Sequence, residues 1–352
     1  MRPLDIAVIG DRFMLAEVFR EEIERLAPAG STVRTLELPW PDEPMHHGYS
    51  GERAGQGLEA LREYFGDPET VADFIGDAQV FVTHLAPVSG PMIARLKRLE
   101  LIAVSRGGPV NIDAAAVRAA GIKLVNTPGR NASAVAEFTI GAILSESRLI
   151  RAGHEALRQG DWRGDLYRAD TTGTELSEQV VGIVGYGQIG ARVVKLLKAF
   201  GCRLLVADPY VQISAADRAD GVEQVSLEKL LAEADIVTLH ARVTPETAKF
   251  MNADAFGAMK RGAIFVNTAR GPLVDYDALY HALTSGHLRG AMLETFAIEP
   301  PPTDWPLLKL PNVTLTPHIA GASTTTVRIA AAMIAEEVRR HAGGEGALNP
   351  VA

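Results

Sequence analysis

Short runs of consecutive apolar residues alternate, along almost the whole chain, with segments whose apolar residues recur every three or four positions. The runs fall at 5–9, 33–38, 79–84, 101–105, 122–125, 180–184, 203–207, 235–239, 263–267, 290–293 and 313–316. Consecutive apolar residues predict parallel strands buried on both faces, where an alternating pattern would predict one wet face. Between them, Ala191 to Phe200, Leu227 to Ala234 and Tyr276 to Leu283 carry helical spacing. Ser226, Asp254 and Asp275 each precede a helical stretch as capping residues. Strand–helix alternation of this kind predicts an α/β fold with doubly wound parallel sheets, two of them over this length. The helix expected from Ser323 to His341 has an apolar face but no adjacent strand, so it should pack back on the first domain. The stretch from Pro39 to Gly66 is rich in Pro, Gly and charge and reads as an irregular excursion.

Composition narrows the classes. The 352 residues suffice for two domains with separate cores. The formal net charge is −8 and the positive residues are dispersed, which argues against nucleic acid as the main partner. Cys202 is the single cysteine, so an intramolecular disulfide is impossible. No apolar run is long enough for a membrane span, and the opening residues do not resemble a signal peptide. A cytoplasmic location is expected.

Gly185-Tyr186-Gly187-Gln188-Ile189-Gly190 follows the apolar run at 180–184 and opens a helical segment. In such a turn the first glycine bends the chain tightly, the second lets backbone approach a pyrophosphate, and the third lets helix and strand pack closely. The helix start then offers N–H groups and a positive dipole end to the phosphates. Glycine patterns arise by chance among 33 glycines, but here strand and helix flank the motif correctly. The next strand ends in Asp208, 18 residues after Gly190, where a carboxylate can bind the adenosine ribose hydroxyls and repel a 2′-phosphate. NAD is therefore expected in preference to NADP.

Three further stretches stand in order: Val266-Asn267-Thr268-Ala269-Arg270-Gly271-Pro272, then Glu299-Pro300, then Thr316-Pro317-His318-Ile319-Ala320-Gly321. With the glycine turn and Asp208, the chain from about 100 to 322 closely resembles the D-isomer-specific 2-hydroxyacid dehydrogenases, to which phosphoglycerate dehydrogenases belong. The resemblance implies a Rossmann NAD-binding domain over 113–319. It also implies a flavodoxin-like substrate domain over 1–112, completed by 320–352. It places Gly185, Gly187, Gln188, Ile189, Gly190, Asp208, Ala241, Thr268, Ala269, Glu294 and Gly321 at the cofactor. Arg270, Glu299 and His318 become the catalytic set, and Arg106, Gly107, Gly108 and Arg270 the substrate contacts. The chemistry is coherent: oxidising a secondary alcohol needs a base of near-neutral pKa, such as His318. Glu299 would fix its tautomer, and Arg270 can hold a carboxylate through two parallel hydrogen bonds.

Taken singly, each of these residues reads as structural; their order carries the catalytic reading. His46, His47, His154, His281, His287 and His341 read as solvated or structural, and His240, at a strand end, chiefly as packing. No Cys, His or carboxylate spacing points to a metal. Two features depart from the family. Glu294 stands where Asp is usual, and the loop Ser105-Arg106-Gly107-Gly108-Pro109-Val110-Asn111-Ile112-Asp113 is about two residues short. Arg106, with Arg130 nearby in sequence, suggests a second anionic group on the substrate. The apolar helix starting near Ser133 and reaching about Leu149 is the one that crosses to a second subunit in the family, so a homodimer is expected. Two other readings fit the same scaffold: a dinucleotide-sensing corepressor and a formate dehydrogenase.

Overall fold

A computed structural model describes residues 1–40, 58 and 61–351. The irregular excursion expected over 39–66 falls largely outside the described residues, as do His46 and His47. The chain divides into two compact units, Met1–Asn131 with Ala322–Ala352, and Ala132–Gly321.

The first unit begins β1 (Asp5–Gly10), α1 (Ala16–Leu26), β2 (Thr32–Glu37), α2 (Pro68–Ile75), β3 (Val80–Thr83), α3 (Gly90–Arg95). It continues β4 (Leu101–Val104), α4 (Ala114–Ala119), β5 (Lys123–Val125). Its sheet has the order β2-β1-β3-β4-β5, every pairing parallel. That is the flavodoxin-like doubly wound order.

The second unit runs α5 (Ala132–Ser147), α6 (Ile150–Arg158), β6 (Val180–Val184), α7 (Gly190–Leu197), β7 (Arg203–Ala207), α8 (Ala215–Ala219), β8 (Glu223–Gln224). It closes with α9 (Leu227–Glu233), β9 (Ile236–Leu239), α10 (Ala253–Ala258), β10 (Ile264–Asn267), α11 (Tyr276–Thr284), β11 (Gly290–Leu293), β12 (Val313–Leu315). Its parallel order β12-β11-β10-β9-β6-β7-β8 reverses direction at β6, with β9 on one side and β7 on the other. Open α/β sheets bind ligands outside the carboxyl ends of the strands at such a switch.

The last helix, α12 (Thr324–Ala342), returns to the first unit. Ser323 caps it, its Oγ accepting the Thr326 N–H at 3.0 Å. Ala330, Ile334 and Val338 of α12 are buried with Phe19 and Ile23 of α1 over Ile6, Val8 and Val80 of the sheet. Each fully buried Ile, Val or Phe contributes roughly 1.5–3 kcal/mol, which is why this helix packs where the sequence lacks a neighbouring strand for it.

Three expectations change, and one strand appears that no apolar run predicts. The first unit reaches Asn131, not residue 112, because β5 pairs with β4 (Ala103 opposite Val125) and so belongs to the first sheet. Asp254 lies inside α10; its cap is Asn252, whose Oδ1 accepts the Ala255 N–H at 3.0 Å. The helix from Ser133 stops at Ser147, and Leu149 turns to φ 57° before α6 begins. The two-residue strand β8 has no apolar run of its own and takes its form from pairing with β7.

Candidate active site

The glycine turn behaves as its chemistry requires. Gly185 adopts φ 98°, and a Cβ there would come within 2.7 Å of the His240 carbonyl oxygen. A Cβ on Gly190 would overlap the Gly185 carbonyl. Gly187 is exposed, and a Cβ on it would meet nothing within 4 Å, so the backbone is bare where a pyrophosphate would lie. Gln188 is exposed and holds Arg192, while Ile189 packs into the core. No side chain caps the start of α7, which leaves its first N–H groups to an anion. These features fit a dinucleotide.

Asp208, directly after β7, does more than the sequence indicated. Its Oδ2 accepts the Tyr186 N–H of the glycine turn at 2.7 Å. Its Oδ1 accepts Tyr210 and Val211 N–H at 2.8 and 2.9 Å. The carboxylate thus ties the glycine turn to the loop after β7, and Oδ2 keeps a lone pair for a ligand hydroxyl. Ala241 and His240 follow β9. His240 bonds Thr238 at 3.1 Å through Nε2, while its Nδ1 is buried without a partner among the described residues. Burial pushes its pKa down to about 3, so the ring is neutral and lines the turn as packing.

At the end of β10, the buried Asn267 braces the next turn: its Oδ1 accepts the Ala269 N–H at 3.0 Å and its Nδ2 donates to the Arg270 carbonyl at 3.1 Å. Thr268 is buried and shares a 2.8 Å hydroxyl bond with Thr139 of α5. Arg270 emerges exposed from this braced turn, its Nη1 bonding, among the described residues, only the neighbouring Ala269 carbonyl at 2.8 Å. Gly271 is fixed by space, since a Cβ would overlap the backbone of Phe296.

His318 follows β12 with φ 53°, a left-handed conformation that costs a non-glycine residue about 1–2 kcal/mol. Bonds hold it there: its N–H donates to the Glu294 carbonyl at 3.0 Å. Its Nδ1 lies 2.8 Å from Glu299 Oε2, and Glu299 Oε1 accepts the Phe296 N–H at 2.7 Å. Glu299 is buried and the imidazole is about one-quarter exposed. With Nδ1–H donating to the carboxylate, Nε2 becomes the ring's proton acceptor. Glu294, directly after β11, is buried, and its Oε1 accepts the Ala320 N–H at 2.7 Å. Burial raises its pKa, partly offset by the His318 charge. The extra methylene relative to Asp therefore carries the carboxyl onto the turn that presents His318. Gly321 ends this unit.

The proposed substrate contacts Arg106, Gly107 and Gly108 lie in the first unit. Arg106 is ion-paired with Glu63, both largely buried, so its guanidinium is not a surplus cation. Gly107 and Gly108 are exposed, with open space where a Cβ would stand. Asn111 and Asp113 are structural: Asn111 Nδ2 donates to the Ala86 carbonyl at 2.9 Å, and Asp113 caps α4. Sequence reasoning missed Asn267 and Thr139 as supports. Asn267 stood inside the quoted motif, and Thr139 carried no signal at all.

A family model described as the D-isomer specific 2-hydroxyacid dehydrogenase, NAD binding domain, matches residues 140–320. A glyoxylate reductase of Korarchaeum cryptofilum is 35% identical over 301 residues, 82% of this chain and 90% of that protein. A D-3-phosphoglycerate dehydrogenase of Methanocaldococcus jannaschii is 37% identical over 285 residues, 80% of this chain. The match spans 53% of that enzyme, so this chain covers about half its length. The crystal structure of the TT0316 protein of Thermus thermophilus superposes with TM-score 0.77 at 31% identity, covering 98% of this chain and 100% of that one.

Proposed function

This chain belongs to the D-isomer specific 2-hydroxyacid dehydrogenase family, and on that premise we propose how its residues carry out NAD-dependent hydride transfer at C2 of a small 2-hydroxy or 2-oxo acid. The observation that carries the proposal is the 2.8 Å His318–Glu299 pair, with Arg270 exposed after β10 of the same sheet. NAD, when bound, is the hydride donor or acceptor. Arg270 holds the substrate carboxylate through its fork of N–H groups. In oxidation, His318 Nε2 takes the hydroxyl proton as the C2–H bond gives up its hydride; in reduction it returns that proton to the carbonyl oxygen. Glu299 keeps the proton on Nδ1 and stabilises the imidazolium. Gly107 and Gly108 are the first unit's candidates for a further carboxylate contact.

We also propose a cytoplasmic homodimer. Among the described residues no helix is long and apolar enough to cross a membrane. The helix α5 is already packed within its own unit, against α7, β10 and β11. Among the described residues, α6 and the segment after it expose Ile150 and Leu157, each 59% exposed, and Trp162, 82% exposed. Apolar side chains exposed at this spacing are the candidate partner surface.

The test is a panel of 2-oxo acids, plain and phosphorylated, followed by NADH absorbance. Steady turnover of one of them supports the dehydrogenase. Tight NADH binding with no turnover of any acid would favour a dinucleotide-sensing regulator, and oxidation of formate alone would favour a formate dehydrogenase.

A further inference from the structure

The first unit has a polar cluster of its own at the carboxyl edge of its sheet. Asp11 follows β1 and His84 follows β3, and these strands pair directly. His84 Nδ1 lies 2.6 Å from Asp11 Oδ2, and both side chains are buried. Asp11 Oδ1 accepts the N–H groups of Phe13 and Met14, each at 2.8 Å. Burial opposes ionisation of Asp11, but the bonds from His84, Met14 and Phe13 outweigh it and keep its carboxyl below the ordinary range. Burial, only partly offset by Asp11, keeps His84 neutral. The pair therefore carries one negative charge that is fully hydrogen-bonded.

Arg130 lies on the same edge, in the loop after β5. Its Nε and Nη1 are buried without a partner, and no hydrogen bond or ion pair reaches its guanidinium among the described residues. Asp11 acts on it electrostatically without bonding it, and burial lowers its pKa to about 10. It remains a cation at neutral pH. Ser105, the residue after β4, likewise holds a buried hydroxyl with no partner among the described residues. A buried guanidinium lacking an acceptor is costly, and an anion bound there would offset that cost.

We propose that Arg130 marks an oxyanion site in the first unit, taking a carboxylate or phosphate group. Arg106, the other candidate cation of this region, is matched by Glu63; Arg130 has no such match. The group it takes is either the second anion of the hydride-transfer substrate, which rests on the function proposed above, or a separate small anion, which does not.

The experiment titrates inorganic phosphate and malonate into the full chain by calorimetry and thermal melts, for wild type, Arg130→Met and Arg130→Lys. Wild type binds at least one of the two anions. Arg130→Met weakens that binding by about tenfold or more and melts no lower than wild type in anion-free buffer, because an uncompensated charge has gone. Arg130→Lys, which keeps the charge, retains measurable binding. In a second arm, kcat/KM is compared for pyruvate and for 2-oxoglutarate or a phosphorylated 2-oxo acid. If the anion belongs to the substrate, Arg130→Met lowers the preference for the dianionic acid by about 10–150-fold. If that preference holds while phosphate binding is lost, the anion is a separate ligand, and the site stands. Wild type that binds neither anion, Arg130→Met that binds as wild type does, or Arg130→Met that melts lower without anion, overturns the proposal. A wild-type chain that turns over no 2-oxo acid sinks the dehydrogenase reading, and the titration alone then judges the oxyanion site.

Discussion

Replacing Glu299 with Gln tests the catalytic pair most sharply, because the two groups differ in hydrogen-bonding capacity and hardly at all in shape. The carboxylate accepts twice, from Phe296 N–H at 2.7 Å and on the side of His318 Nδ1 at 2.8 Å. A glutamine has one acceptor atom and one donor atom. With its oxygen toward His318, the buried Phe296 N–H loses its acceptor, at a cost of about 1–3 kcal/mol in stability. With its nitrogen toward His318, Nδ1 must accept, so the ring proton sits on Nε2 and the base is disabled. Either way the imidazolium loses its charge partner. A hydrogen bond between charged groups is worth roughly 1.5–3 kcal/mol. We therefore expect kcat to fall by about 10- to 150-fold, since 1.36 kcal/mol is tenfold in rate. Both directions draw on the pair, since the imidazolium that Glu299 stabilises forms as the hydroxyl proton is taken and is the group that returns it. The assay is steady-state NADH oxidation, with NADH affinity measured separately by fluorescence and expected to change far less than kcat. A variant with kcat within about threefold of wild type would refute the pairing.

Four other outcomes are expected. Gly187→Ala should leave the melting temperature nearly unchanged and weaken NADH, whereas Gly190→Ala should destabilise the fold itself; if Gly187→Ala binds NADH normally, the backbone there does not face the pyrophosphate. Asp208→Ala should narrow the preference for NADH over NADPH mainly by weakening NADH, and should lower stability by about 1–3 kcal/mol through lost backbone acceptors; calorimetry with both cofactors decides, and tighter NADPH in wild type would defeat the assignment. Glu294→Gln should stabilise the chain at neutral pH: a folded pKa raised by burial means stability is lost as pH rises above the unfolded pKa of about 4.3, and the amide oxygen still accepts Ala320 N–H. Equal melting curves at pH 4 and pH 7 relative to wild type would count against it. Leu157→Asp should convert a homodimer to a species near 37.7 kDa in light scattering, and a wild type already of that mass would remove the dimer.

What the sequence determined by itself is the local and periodic part. Apolar runs such as Val180–Val184 and Ile264–Asn267 are buried on both faces in any parallel sheet, so their pattern alone fixes strand and class. The glycine turn was readable because its three glycines answer to local sterics, and Ser226 and Asp275 because a cap bonds residues two or three positions on. The order of Arg270, Glu299 and His318 along the chain was legible. Their distances were not, because 19 residues separate Glu299 from His318 and only the tertiary fold brings them to 2.8 Å. Long-range partners decided the rest. The pairing of β5 with β4 moved the unit boundary, and Glu63 claimed Arg106 from across the first unit. Whether a charged side chain is matched depends on what the fold folds against it, which no spacing records. Arg106 and Arg130 look alike in the sequence, and only the tertiary structure gave one a carboxylate and left the other, buried, without one.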